Sequence, residues 1–156
     1  YLGVDNSLVF SADRRNGYQL ALTRHGIVPK PEYCVELPSI TAGEDTPVHA
    51  LLRSASRPTA IVVSDDILAL TLERICTETG LSIPADLSIL SFNNSLFARL
   101  TSPQLTSIDI NSCQLGMEAA AQMISHIENP GLPATKILVP HQLIERDSCA
   151  RPASHE

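Results

Sequence analysis

The chain has 156 residues, 44% of them hydrophobic and 18% charged, with a formal net charge of −6. That length suffices for one domain with a sizeable core, and the acidic balance argues against a nucleic-acid surface, which is typically basic. Basic residues are scattered, with Arg14-Arg15 the one adjacent pair, and no apolar run approaches the ~20 residues that span a bilayer.

Tyr1 to Asp5 reads as a strand, with no signal-peptide character. There is no initiator Met, so a fragment of a longer protein is expected. Ser11 to Arg24 reads as a helix with Tyr18, Ala21 and Leu22 at helical spacing, stopped near Gly26. Tyr33 to Leu37 is a weaker strand. Thr46-Pro47 is an N-cap followed by proline in the first turn, and its helix runs to about Ser54.

Ala60 to Ser64 and Leu87 to Phe92 are short apolar runs, and each stops at a polar pair, Asp65-Asp66 and Asn93-Asn94. Such runs are the pattern of parallel strands buried on both faces. A helix from Asp66 to Thr79, with Leu68, Leu72 and Ile75 as its stripe, ends at Gly80. Residues 95–104 read as a loop and Leu105 to Ile110 as extended chain. Asn111 or Ser112 caps a helix to about Ile127, Asn129-Pro130-Gly131 turns, and Ile137 to Ile144 is strand-like but broken by Pro140. The tail after Cys149 is expected to fray.

Strands alternating with helices predict right-handed βαβ units around a mainly parallel sheet. In such a sheet, ligands bind beyond the carboxyl ends of the strands. That places the functional question around Asp65 and Asn93. Cys34, Cys76, Cys113 and Cys149 are far apart in sequence and read as reduced cytoplasmic thiols. His25, His49, His126, His141 and His155 show no metal spacing. No cofactor motif is present.

The elements Arg14-Arg15-Asn16-Gly17-Tyr18, Pro58 to Asp66, Gly80-Leu81 followed by Ile83-Pro84 and Asp86, Leu105 to Ile108, Leu115-Gly116, and Leu143-Ile144 followed by Arg146 and Ser148 occur in one order. Together they resemble the carboxyl-terminal half of the effector-binding domain of lactose/galactose-repressor-family transcription regulators. Residues 91–98, SFNNSLFA, look closest to maltose-operon regulators. The resemblance implies an α/β parallel-sheet lobe of a periplasmic-binding-protein-like (type I) fold, a three-layer αβα arrangement. It implies residues 1–108 as the C-terminal lobe, 109–140 as a segment of an incomplete second lobe, and 141–156 as a return strand and tail. It also implies a small sugar effector, a homodimer, DNA contact only through a helix-turn-helix domain outside this chain, and a cytoplasmic protein without catalytic activity.

On its residues alone, Arg14 is either a solvated helix arginine or a ligand donor; the resemblance makes it the effector contact. Asp65 is expected to accept from two sugar hydroxyls, and the helix-capping role falls to Asp66. Asn93 stands where the family has Asp, which keeps hydroxyl recognition but removes a charge. Asn94 is expected to turn the loop. Ser39 and Ile40 lie where relatives place a stacking aromatic, and Ser112 is a further candidate contact beside Asn111. Asp5-Asn6 follow a strand and are either part of the same edge or a plain turn.

The competing reading is an enzyme in which Asp65 and Asp66 hold Mg²⁺ for phosphoryl transfer. Against it stand the lack of a phosphate-cradling loop and of a partnering lysine, since only Lys30 and Lys136 occur. For dimerisation, the helix at 66–79 and the loop 95–104 are the expected contacts. The apolar face carrying Leu115, Ala119 and Met123 is expected to seek another copy or the sheet edge.

Overall fold

A computed structural model of the chain describes residues 1–4, 9–38 and 46–152. In chain order these form β1 (Leu2–Val4), α1 (Val9–Arg24), a single 3-10 turn (Pro31–Tyr33), β2 (Val35–Leu37), α2 (Thr46–Arg53), β3 (Ala60–Val62), α3 (Asp66–Thr79), β4 (Ser88–Phe92), α4 (Leu96–Leu100), β5 (Thr106–Asp109), α5 (Ser112–Glu128) and β6 (Gln142–Ile144).

The sheet is laid out as β2-β1-β3-β4-β5-β6. β1 pairs with β2, β3 with β4 and β4 with β5, all parallel. A parallel bridge between Leu2 and Val63 and a bond from the Ser64 amide to the Leu2 carbonyl (2.8 Å) join the two groups of strands. β6 runs antiparallel to β5, so the sheet is mixed and not wholly parallel.

The core lies where the apolar runs and helix stripes predict. Leu68, Leu72 and Ile75 of α3 have no exposed surface, and they pack with Val48 and Leu52 of α2, Ile61, Ile89, Leu87 and Leu105. Burying side chains of this size is worth about 1.5–3 kcal/mol each. α3 is well bounded. Asp65 caps its start, and Gly80 closes it at φ 76°, a left-handed position that glycine occupies without a Cβ clash.

Four expectations need correction. Residues 95–104 are not all loop, because α4 occupies Leu96–Leu100. α1 begins at Val9, two residues before Ser11, and so includes Phe10. Regular strand in the 137–144 stretch is confined to β6, beyond Pro140. The tail does not fray directly after Cys149: the Cys149 thiol donates to the Ile89 carbonyl (3.2 Å), and the Ala150 amide donates to Ser88 Oγ (3.1 Å).

No residue of α5 is buried. Leu115, Met123 and Ile127 are 49%, 65% and 71% exposed, and the segment 135–139 runs along part of this face beside Leu115 and Ala119. No helix among the described residues is long and apolar enough to cross a membrane.

Candidate effector site

α1 brings Arg14 to the sheet's carboxyl edge. The helix is fixed one turn earlier by Ser11, buried, whose hydroxyl donates to the Val4 carbonyl at the end of β1 (2.6 Å). Arg15 pairs with Glu36 of β2 (3.2 Å). Between these ties, the Arg14 guanidinium reaches two neighbouring strand ends. One amine donates to the Ser64 carbonyl after β3 (2.5 Å), and the other donates to Asn93 Oδ1 after β4 (3.1 Å). Its plane lies over Phe92 (4.6 Å to the ring centroid) and near Phe10 (5.1 Å), a cation–π arrangement. Burial lowers the pKa of Arg14, and Tyr1, Asp65 and Asp66 act in the opposite direction. Guanidinium is so strongly basic that it keeps its charge.

Asn93 and Asn94 both adopt positive φ, 97° and 46°. Asparagine tolerates this region better than most residues. The turn is held from several sides. The Asn93 amide donates to the Ile108 carbonyl (2.8 Å). The Asn94 amide donates to Ser107 Oγ (3.0 Å), and its side chain donates to Asp109 (2.9 Å) while accepting from Arg146 (2.5 Å). Asn94 is therefore a turn residue, as expected. The bond from Asn94 and one from the Asn111 amide hold the Asp109 carboxyl below the usual carboxylate range.

The capping role falls to Asp65 and not to Asp66. Asp65 is the cap: its Oδ1 accepts from the Leu68 amide (2.8 Å) and its Oδ2 from Ser64 Oγ (3.0 Å). The reason is register, since the helix starts at residue 66 and a cap bonds three residues ahead. Asp66 is 1% exposed. Its Oδ1 accepts from Ser91 Oγ (2.5 Å) and Ser107 Oγ (2.9 Å), and its Oδ2 accepts from the Ser95 amide (2.6 Å). Asp66 thus ties β4, β5 and the start of α4 together beneath the turn that presents Asn93.

Arg14, Asp65 and Asn93 line one hollow of about 490 Å³. Ser112 does not reach it. The chain passes the hollow at Ile110, and Ser112 is an exposed first residue of α5. Ser39, Ile40, Asp5 and Asn6 lie outside the described residues. Sequence reading missed Phe10, Ile67 and Phe97, which line the same hollow and are 45%, 47% and 44% exposed. Phe97 was missed because α4 was read as loop, and Phe10 because α1 was started too late.

The same geometry weakens the metal reading. Asp65 is engaged as a cap and Asp66 by three donors, and no group of three or more potential ligands lies together among the described residues.

A family profile, the periplasmic binding protein-like domain, matches residues 1–149. The chain belongs to that family. It does so in the form found in LacI-family transcriptional regulators. It is 33% identical over 118 residues to the ribose operon repressor of Haemophilus influenzae, covering 76% of this chain and 36% of that protein. It is 31% identical over 137 residues to the transcriptional repressor PurR of Yersinia pestis, covering 88% and 40%. Among solved structures, one from Bacillus cereus subsp. cytotoxis, assigned as a transcriptional regulator LacI, superposes with a TM-score of 0.88 at 33% identity, over 96% of this chain and 53% of that one. The chain spans about two fifths of the length of the curated relatives it matches. These relatives are transcriptional repressors and not enzymes.

Proposed function

We propose that this chain is the ligand-sensing part of a sugar-responsive transcriptional regulator. A small carbohydrate, of maltose type on the wording of residues 91–98, sits against the edge formed by Arg14, Asp65 and Asn93. The observation that carries the reading is the convergence of a helix-borne guanidinium and two strand tips on one hollow. Asn93 Oδ1 is held by Arg14, which leaves its amide hydrogens to donate to a hydroxyl, and among the described residues two of the five guanidinium hydrogens are engaged, by Ser64 and Asn93. The relatives' names, a ribose operon repressor among them, support a small-molecule signal.

In this reading residues 1–108 are one lobe, 109–140 belong to a second, and 141–156 return to the first. The ligand closes the lobes on each other and changes the spacing of DNA-binding heads carried outside this chain, in a cytoplasmic homodimer. The outer side of α3, together with Leu96 (63% exposed) and Leu100 (69% exposed) of α4, provides the dimer surface.

Asn93→Gly tests the site, because glycine keeps the φ of 97° and removes the side chain. The variant, which also loses the bond from Arg14, is expected to fold with a slightly lowered unfolding midpoint and to lose the stabilisation that maltose gives the parent chain. Equal stabilisation of both would contradict the site.

A further inference from the structure

We infer that the hollow selects an uncharged ring ligand and rejects phosphorylated or carboxylated ones, with Phe10 and Phe97 as the surfaces that grip the ring. The inference deepens the proposed function and rests on it.

Charge comes first. The lining holds one cation, Arg14, and two carboxylates, Asp65 and Asp66. An anionic group entering here would have to give up its hydration to a wall of net negative formal charge. Nor is Arg14 free to form a paired clamp on a phosphate. Two of its donors are already taken by Ser64 and Asn93, which leaves fewer for a phosphate than for single hydroxyls, and Phe92 and Phe10 lie within cation–π distance of it. A cationic ligand is no better served. Both oxygens of Asp65 accept bonds within its own lobe, Asp66 is buried, and the guanidinium edges the same space.

Shape and polarity come second. The most exposed lining side chains are Phe10, Ile67 and Phe97. A carbohydrate ring has a C–H face that packs on aromatic surface and hydroxyl edges that reach Asn93 and Arg14. Aromatic packing of this kind is worth about 0.5–1.5 kcal/mol beyond area burial. Phe97 belongs to α4, whose start is bonded to Asp66, so its position is set by the same network that sets Asn93. A neutral purine base shares the flat apolar face and polar edge, and only experiment separates the two sources.

The test is NMR titration of the full 156-residue chain with maltose, glucose, glucose 6-phosphate and hypoxanthine, each to millimolar concentration, observing the Arg14 side chain and the Asn93 amide. Shifts at both positions with maltose or glucose, and none with glucose 6-phosphate, are expected. Hypoxanthine as the sole responder keeps the uncharged-ring class and transfers the source from sugar to base. Phe97→Ala is expected to weaken the responding ligand about threefold to tenfold, and Phe97→Leu, which keeps apolar bulk without a flat face, by less. Glucose 6-phosphate binding as well as or better than glucose overturns the inference while leaving the site reading intact. An undiminished affinity in Phe97→Ala overturns the gripping role. No response at Arg14 and Asn93 to any of the four probes overturns the site reading and this inference with it.

Discussion

Two regions of this molecule obey different physics. From β1 to β5 the chain builds a closed core: Leu68, Leu72, Ile75, Leu87, Ile89 and Leu105 are each fully buried, polar groups such as Asp66 and Ser107 are bonded where they are buried, and the exposed apolar side chains, Leu20, Val28 and Leu100 among them, lie outside that core. In α5 an equally apolar helix stays at the surface, with Met123 and Ile127 more than half exposed. The difference teaches that the first region closes its own core. The second presents a face suited to a further surface, which is the behaviour expected of a segment shared between two lobes.

The comparison can be broken most sharply in the core. Leu72→Ala is expected to destabilise the chain by about 2–5 kcal/mol in urea unfolding, whereas Ile127→Ala is expected to stay within about 0.5 kcal/mol. Similar costs for both would mean that α5 is part of the same core. Helix starts give a smaller contrast. Asp65→Ala removes a cap bond to Leu68 and is expected to cost about 1 kcal/mol. At the start of α5, Asn111 makes no side-chain capping bond and sits at φ 54°, so Asn111→Gly is expected to leave stability unchanged or slightly raised, read by the thermal midpoint.

The last contrast is a pH dependence. Burial alone pushes the Glu73 carboxyl of α3 from 4.5 up to about 7, with a buried oxygen that has no hydrogen-bond partner. The folded state therefore holds this proton more tightly than the unfolded chain. Its contribution is fully present below pH 4.5 and is lost as the pH rises to about 7. Chemical unfolding across that window is expected to show stability falling with pH, and Glu73→Gln is expected to flatten the slope. An identical slope in the variant would assign it to another group.

Much of the first region was legible in the residues. The runs at 60–64 and 87–92 and the stripe Leu68, Leu72, Ile75 specify strands and a helix by period alone. α4 was not, because five residues cannot display a helical period. The antiparallel β6 was not either, since direction depends on where the chain returns and not on its pattern. That Arg14 and Asn93 share one edge was readable from position, but the roles of the adjacent carboxylates Asp65 and Asp66 were not separated. Their roles turn on which of them precedes the first helical residue: the expected start at Asp66 matches the structure, and it makes Asp65 the cap. Ser112 lies away from the hollow because, two residues past Ile110, the chain has already entered α5.

The central claim is that Arg14, Asp65 and Asn93 form one recognition surface for a small neutral ligand. Thermal unfolding with maltose at a hundred times its dissociation constant is expected to show about 2.7 kcal/mol of added stability in the parent chain. Arg14→Lys keeps the charge and loses the planar donor fork, so its unfolding is expected to respond little to the same sugar concentration. An equal gain in parent and variant would contradict the account.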